Sequence, residues 1–138
     1  MSRTRALTKK DFAKLLEFRV ALRRFLGWSE DQAAEVGLSA AQHQLLLAIC
    51  GHDDPRGPTV SDIADYLVVR HHSAIGLINR AQDGGLLQRR TDDDDQRVVR
   101  LSITPLGQRR VDAMAAAHIE ELRRLAPLLD ALLDVAGD

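Results

Sequence analysis

The run from Thr59 to Gly107 constrains this chain more than any other stretch. Thr59 is placed to cap a helix, with Asp62 in its first turn and Ile63, Ala64 and Leu67 as its inner face. A second helix is predicted from His71 to Gln82, where Ala74, Leu77, Ile78 and Ala81 recur at the i, i+3, i+4, i+7 spacing of a core face. Gly84-Gly85 ends it. Leu86 to Arg90 and Arg97 to Ile103 alternate as strands, with Thr91 to Gln96 as a charged hairpin tip. Thr104-Pro105 then pairs an N-cap with a proline at the first helical position, opening a new helix.

Short helix, turn, second helix, strand, charged tip and strand is the layout of a helix-turn-helix followed by a β-hairpin wing. That layout is a device for reading duplex DNA. The flanks read as its mount. Thr8 caps a first helix with Asp11 as reciprocal partner, and Phe12, Leu15, Leu16, Phe18, Val20, Leu22, Phe25 and Leu26 spread over more than one stripe. Gly27 allows a break, Ser29 with Gln32 offers a new capping box, and a short helix over 29–36 ends at Gly37. Ser39 with Gln42 opens a central helix whose apolar residues are Leu45, Leu46, Ala48 and Ile49. Residues 51–58 are a loop by composition. The last helix carries Val111, Met114, Ala115, Ile119 and Leu122. Pro127 is expected to kink or restart it before Leu128, Leu129, Leu132, Leu133 and Val135.

The expected fold class is therefore mainly α with a small β-wing, in one domain of residues 1–138. Residues 37–107 form the DNA-binding lobe, and 1–36 with 108–138 form dimerisation helices. The terminal helices are too apolar for a free monomer of this size, so a homodimer is expected through Phe12, Leu15, Leu16, Ile119, Leu122, Leu125, Leu128, Leu129 and Leu132. A two-fold reader of this kind sets its recognition helices about 34 Å apart. The net charge of −1 does not advertise nucleic-acid binding, but its distribution is uneven. Residues 1–24 hold eight Lys/Arg against two acids, and residues 111–138 hold two Arg against six acids. No apolar run reaches the length of a membrane span, and no secretory signal is visible at Met1–Lys10. The single cysteine, Cys50, fits a reducing cytoplasm. At a helix C-terminus it is expected to be a packed core thiol rather than a reactive one.

Three features make the chain resemble the MarR family of bacterial transcription factors. They are Leu38-Ser39-Ala40-Ala41-Gln42, the exit Gly85-Leu86-Leu87-Gln88-Arg89, and the wing ending Asp95-Gln96-Arg97 with Leu101-Ser102-Ile103-Thr104-Pro105-Leu106-Gly107. The resemblance implies a winged helix-turn-helix homodimer, usually a repressor of nearby genes. It also implies release from DNA when a small aromatic or anionic ligand binds between the dimer region and the DNA-binding lobe. It gives Arg97 the role of a minor-groove probe held by Asp95, and it departs at Gln96, where many relatives carry a second arginine.

The candidate DNA-binding residues are Thr59, Ser61, Arg70, His71, His72, Ser73, Gly76, Arg80, Asp95 and Arg97. Asp95 and Arg97, two apart on an extended strand, would point to one side. His71, His72 and Ser73 open the recognition helix, where side chains and free N–H groups meet base edges and phosphates. Adjacent histidines on a helix point about 100° apart, which suits one metal poorly. Asp92 to Asp94 are expected at the outer bend, clear of DNA, with only Asp95 turned inward. A calcium loop is the other reading of that tip, but its glycine and terminal glutamate are absent. His43, His52, Asp53 and Asp54 read either as a metal cluster or as ordinary solvated groups, the latter favoured. The resemblance implies a ligand pocket at Phe25, Trp28 and His43, with ordinary core as the alternative. No cofactor, nucleophile–base pair or phosphate loop is discernible, so an enzyme is not expected. A winged helix that binds a ligand or protein and has lost DNA recognition is the competing reading.

Overall fold

Residues 5–136 are described by the computed structural model. The charge count at the chain ends and the search for a leader at Met1–Lys10 both reach into residues outside that span. Among the described residues seven elements follow one another: α1 (Lys9–Glu35), α2 (Ala40–Gly51), α3 (Val60–Leu67), α4 (His71–Asp83), β1 (Leu87–Thr91), β2 (Val99–Ile103) and α5 (Pro105–Ala136). Contacts divide the chain into two units. Of the described residues, one unit holds 5–31 and 115–136, and the other is Gln32–Met114.

The Gln32–Met114 unit is a winged helix. Its core is closed by Leu45 and Leu46 of α2, Ile63 of α3, Ile78 of α4, and Leu86, Leu87 and Leu101 beside or within the hairpin, all fully buried. Each such side chain contributes about 1.5–3 kcal/mol by leaving water. α2 is central, as its apolar content predicts, and it opens with the Ser39–Gln42 capping box. Of the predicted α4 core face, Ala74, Ile78 and Ala81 are buried and Leu77 is half-buried.

β1 and β2 pair antiparallel, with Leu87 opposite Ile103, Arg89 opposite Leu101 and Thr91 opposite Val99. The second strand starts later than alternation suggests. The Val98 N–H bonds the Asp95 carbonyl at 3.0 Å, so residues 95–98 form a turn rather than extended chain. The first strand starts at Leu87 because the Leu86 N–H still closes α4, on the Ala81 carbonyl at 2.9 Å. The loop before α3 lies against β2. Leu101 N–H donates to the Pro58 carbonyl at 2.9 Å, and Thr59 bridges Arg100. Gly57 makes this approach possible, because its φ is +93° and a Cβ there would sit 2.1 Å from the Leu101 carbonyl oxygen.

Two expectations about the long helices are corrected. α1 does not break at Gly27 and restart at Ser29; it runs unbroken to Glu35. An interior glycine costs about 1 kcal/mol but forces no stop. The Ser29 hydroxyl lies 2.7 Å from His118 Nε2 instead of capping a new helix. The predicted Thr8–Asp11 box does open α1, through bonds of 2.9 and 3.3 Å. α5 likewise neither ends nor restarts at Pro127. Proline deprives the Arg123 carbonyl of its helical donor, but both residues are exposed, so water can take that place.

Cys50 is a third correction. It is exposed rather than packed in the core, with its Sγ 3.8 Å from Gln108 Oε1. Partial burial of the thiol, and next the charge of Asp112, raise its pKa, so it stays protonated at neutral pH.

Candidate nucleic-acid interface

The helix-turn-helix is joined by a tight link. Val68 N–H reaches the Asp65 carbonyl at 3.3 Å and Val69 N–H the Ala64 carbonyl at 3.0 Å, the paired bonds of a Schellman ending. The position this ending reserves for a left-handed residue is filled by Val68, at φ 54° and ψ 49°. α4 then starts without a side-chain cap from Arg70, and its first backbone bond is Ala74 N–H to the Arg70 carbonyl at 3.0 Å. The amides of His71, His72 and Ser73 are thus left outside the helix ladder on an exposed turn, where the helix dipole favours an anion.

Thr59, Ser61 and His71 come together with Arg97, Val98 and Val99 around one shallow hollow of about 410 Å³. Two helix starts and the base of the wing therefore share one surface. Thr59 is also the α3 cap: its Oγ1 accepts from Asp62 N–H at 3.1 Å, and its own N–H donates to Asp62 at 2.9 Å. Arg70, His72, Ser73 and Arg80 are exposed. Gly76 keeps the face of α4 low, since a Cβ there would meet only the Arg80 guanidinium, at 3.5 Å.

Arg97 is held as a fork. Asp95 Oδ1 accepts from Arg97 Nε at 3.1 Å and from its backbone N–H at 3.0 Å, and Oδ2 accepts from Nη2 at 3.1 Å. The Arg97 side chain is nonetheless 90% exposed. Its hydrogen bonds, side chain first and backbone second, hold the Asp95 carboxyl below its ordinary pKa. The pair sits on the turn before β2, not on the strand. A local side-chain turn aligns the two residues, rather than the alternation of extended chain.

The acidic tip differs from expectation at Asp92. That residue is buried instead of lying at the outer bend. Its Oδ2 accepts from the N–H groups of Asp94 and Asp95 at 3.3 and 3.1 Å, and its Oδ1 from Arg100 Nε at 3.2 Å. Arg100 also donates to the Gly57 carbonyl at 3.1 Å. Arg56 grips Asp54 at 2.8 Å and lies 3.7 Å from Asp92 and 3.6 Å from Asp94. Two guanidinium groups therefore tie the 52–58 loop to the wing and offset the charges of Asp54, Asp92 and Asp94. Among the described residues only Asp93 of the four tip aspartates makes no ion pair. Neither arginine stood out in the sequence, because their partners are 36 to 46 residues away or in an irregular loop.

Other groups fall apart or find unforeseen partners. His52 Nδ1 lies 2.7 Å from the Tyr66 hydroxyl, Asp54 pairs with Arg56, and His43 is buried in the core. No cluster of three or more metal-binding side chains occurs among the described residues. Arg89 of β1 donates to the side-chain oxygens of both Asn79 and Gln82 on α4. Phe25 and Trp28 belong to the other unit and surround His118, with Trp28 and His118 ring centres 4.8 Å apart. They line a groove of about 750 Å³ that also includes Leu16, Arg24, Arg124 and Leu128. No helix among the described residues is long and apolar enough to cross a membrane.

Residues 36–98 match a family model described as the MarR family. Among curated proteins none matches the chain. Solved structures do match. AbsC of Streptomyces coelicolor, a MarR family transcriptional regulator, is 20% identical over 88% of this chain and 82% of its own, with a TM-score of 0.71. The S. aureus MepR–DNA complex is 20% identical over 88% and 85%, with a TM-score of 0.69. Bordetella bronchiseptica BpsR, whose DNA binding is regulated by 6-hydroxynicotinic acid, is 22% identical over 92% and 98%, with a TM-score of 0.64. At these identities the likeness establishes a shared fold.

Proposed function

We propose that this chain is a MarR-type sequence-specific double-stranded DNA-binding transcriptional regulator, a homodimeric repressor modulated by a small ligand, a reading supported by the match of residues 36–98 to that family's model. One observation carries the reading. Thr59, Ser61 and His71 share a single hollow with Arg97, so two helix starts and the base of the wing form one surface on which a phosphate would rest. The MepR complex with DNA and the regulated binding of BpsR support the same reading by analogy of fold. Arg70, His72, Ser73, Gly76 and Arg80 present the rest of the α4 surface to the major groove. Asp95 aims Arg97 into the adjoining minor groove, where a preorganised fork loses little entropy on binding.

The dimer forms through the apolar side chains that the terminal helices leave open. Phe12, Leu15, Leu16, Ile119, Leu122 and Leu129 are each 44–62% exposed, and Leu125, Leu128 and Leu132 are half-buried beside them. Covering these side chains recovers hydrophobic energy that a monomer forgoes. The effector sits at the Phe25–Trp28 end of the groove, with Arg24 and Arg124 to hold an anion. Leu16 lies twelve residues from Trp28 on α1, about 18 Å at 1.5 Å per residue, and belongs to the dimer surface. The protein works in the bacterial cytoplasm, on operators near its own gene.

Titration of a labelled upstream duplex against a random one tests the proposal. Specific binding should fall with salt at a log–log slope near −5, for about six phosphate contacts per dimer. Equal affinity for both duplexes would refute specific regulation. A ligand or protein complex with no DNA binding even at low salt would favour a winged helix that has lost DNA recognition.

A further inference from the structure

The recognition surface of α4 is short of groups able to read adenine. An asparagine or glutamine reads that base with both ends of its amide, the oxygen accepting from N6 and the nitrogen donating to N7. α4 carries Asn79 and Gln82 toward its exposed side, but both side-chain oxygens are occupied by the Arg89 guanidinium reaching across from β1. Beside them is an exposed apolar side chain. Ile75 is 36% exposed, one turn from His71 and His72 on one side and from Asn79 on the other. Gly76 next to it adds no bulk, so a partner can approach closely. In the major groove an aliphatic side chain has one apolar complement, the C5-methyl group of thymine.

We propose that α4 reads its operator through contact between Ile75 and a thymine methyl group, while Arg89 withdraws Asn79 and Gln82 from adenine recognition. This rests on the DNA-binding reading and names the chemistry by which that site selects sequence. Arg89 acts as a positioning residue, and Ile75 as the contact.

The test uses the full chain and a duplex selected from a random pool. Each thymine of one half-site is replaced in turn by deoxyuridine, which removes the methyl and leaves the pairing edge intact. One position should weaken binding about fourfold, the effect of losing one buried methyl. Ile75→Ala should abolish that penalty, and Ile75→Val should keep most of it. Replacing adenines by 7-deazaadenine, which lacks N7, should leave affinity unchanged. Tolerance of deoxyuridine at every position by the wild-type protein would overturn the proposal without needing any variant to fold. So would a penalty undiminished in Ile75→Ala, or a 7-deazaadenine penalty that disappears in Asn79→Ala. Failure to select any duplex is a separate outcome, which sinks the DNA-binding reading beneath it.

Discussion

Val68 is the only non-glycine residue among those described with a positive φ, and it is β-branched. Replacing it with glycine should stabilise the protein. A left-handed conformation costs an L-residue about 1–2 kcal/mol, and a β-branched side chain belongs at the upper end. Glycine removes that strain but gives the unfolded chain more freedom, which offsets about 0.4–1 kcal/mol. Little burial is lost, since Val68 is 89% exposed. The Val68 N–H bond to Asp65 is a backbone bond and survives the change. The net gain is about 1 kcal/mol. For 138 residues the unfolding entropy is roughly 0.3 kcal/mol per degree, so Tm should rise by about 3 °C. Calorimetry at fixed protein concentration measures this, because a dimer melts at a concentration-dependent temperature. Val69→Gly is the control. Val69 is only 36% exposed and has no positive φ to relieve, so this substitution should lower Tm. A Val68→Gly protein melting at or below the wild-type temperature would refute the claim that strain is stored in the turn.

Other consequences are as direct. Arg97→Ala should weaken operator binding by about 1–3 kcal/mol and flatten the salt slope by about one, as read by anisotropy titration; Arg97→Lys should recover the slope but not the full affinity, because a lysine cannot reproduce the fork. Asp54, Asp92 and Asp95 all have lowered pKa values; Arg56 is the main cause for Asp54 and Arg97 for Asp95, while backbone N–H groups and Arg100 outweigh burial for Asp92. A lowered carboxylate pKa stabilises the fold above the unfolded value, about 3.9, and that stabilisation is lost as pH falls through the folded values. Thermal melts taken below pH 4 should therefore show a steep loss of stability, shallower in Arg100→Met, and an unchanged slope in that variant would show that Arg100 carries none of it. If the terminal helices pair as proposed, Leu122→Glu, placing a charge on the open apolar face, should leave a monomer by light scattering and abolish high-affinity operator binding.

The order of the winged helix was legible because its signals are local. Thr59 with Asp62, Ser39 with Gln42 and Thr104 with Pro105 each act within one helical turn, and the structure places helix starts at all three. The α4 core face was legible because period 3.6 leaves few other arrangements for Ala74, Ile78 and Ala81. Gly27 and Pro127 misled because a breaker's cost of one to a few kcal/mol is readily outweighed by the packing of a long helix.

By itself, then, the sequence determined the succession of elements from Ser39 to Pro105, the core face of α4 and the pairing of Asp95 with Arg97, all of them set by neighbours within a few residues. Only the tertiary structure decided which distant charges meet. Asp92 looked like solvent-facing tip until Arg100 and Arg56 closed on it, and nothing in the order of residues announced that Arg89 of β1 would cross to Asn79 and Gln82. The left-handed Val68 was hidden for the same reason, since nothing in a Val-Val pair announces a positive φ. Ion pairs and strained turns are imposed by the packing around them, and a linear order carries no record of a contact that exists only once the chain has folded.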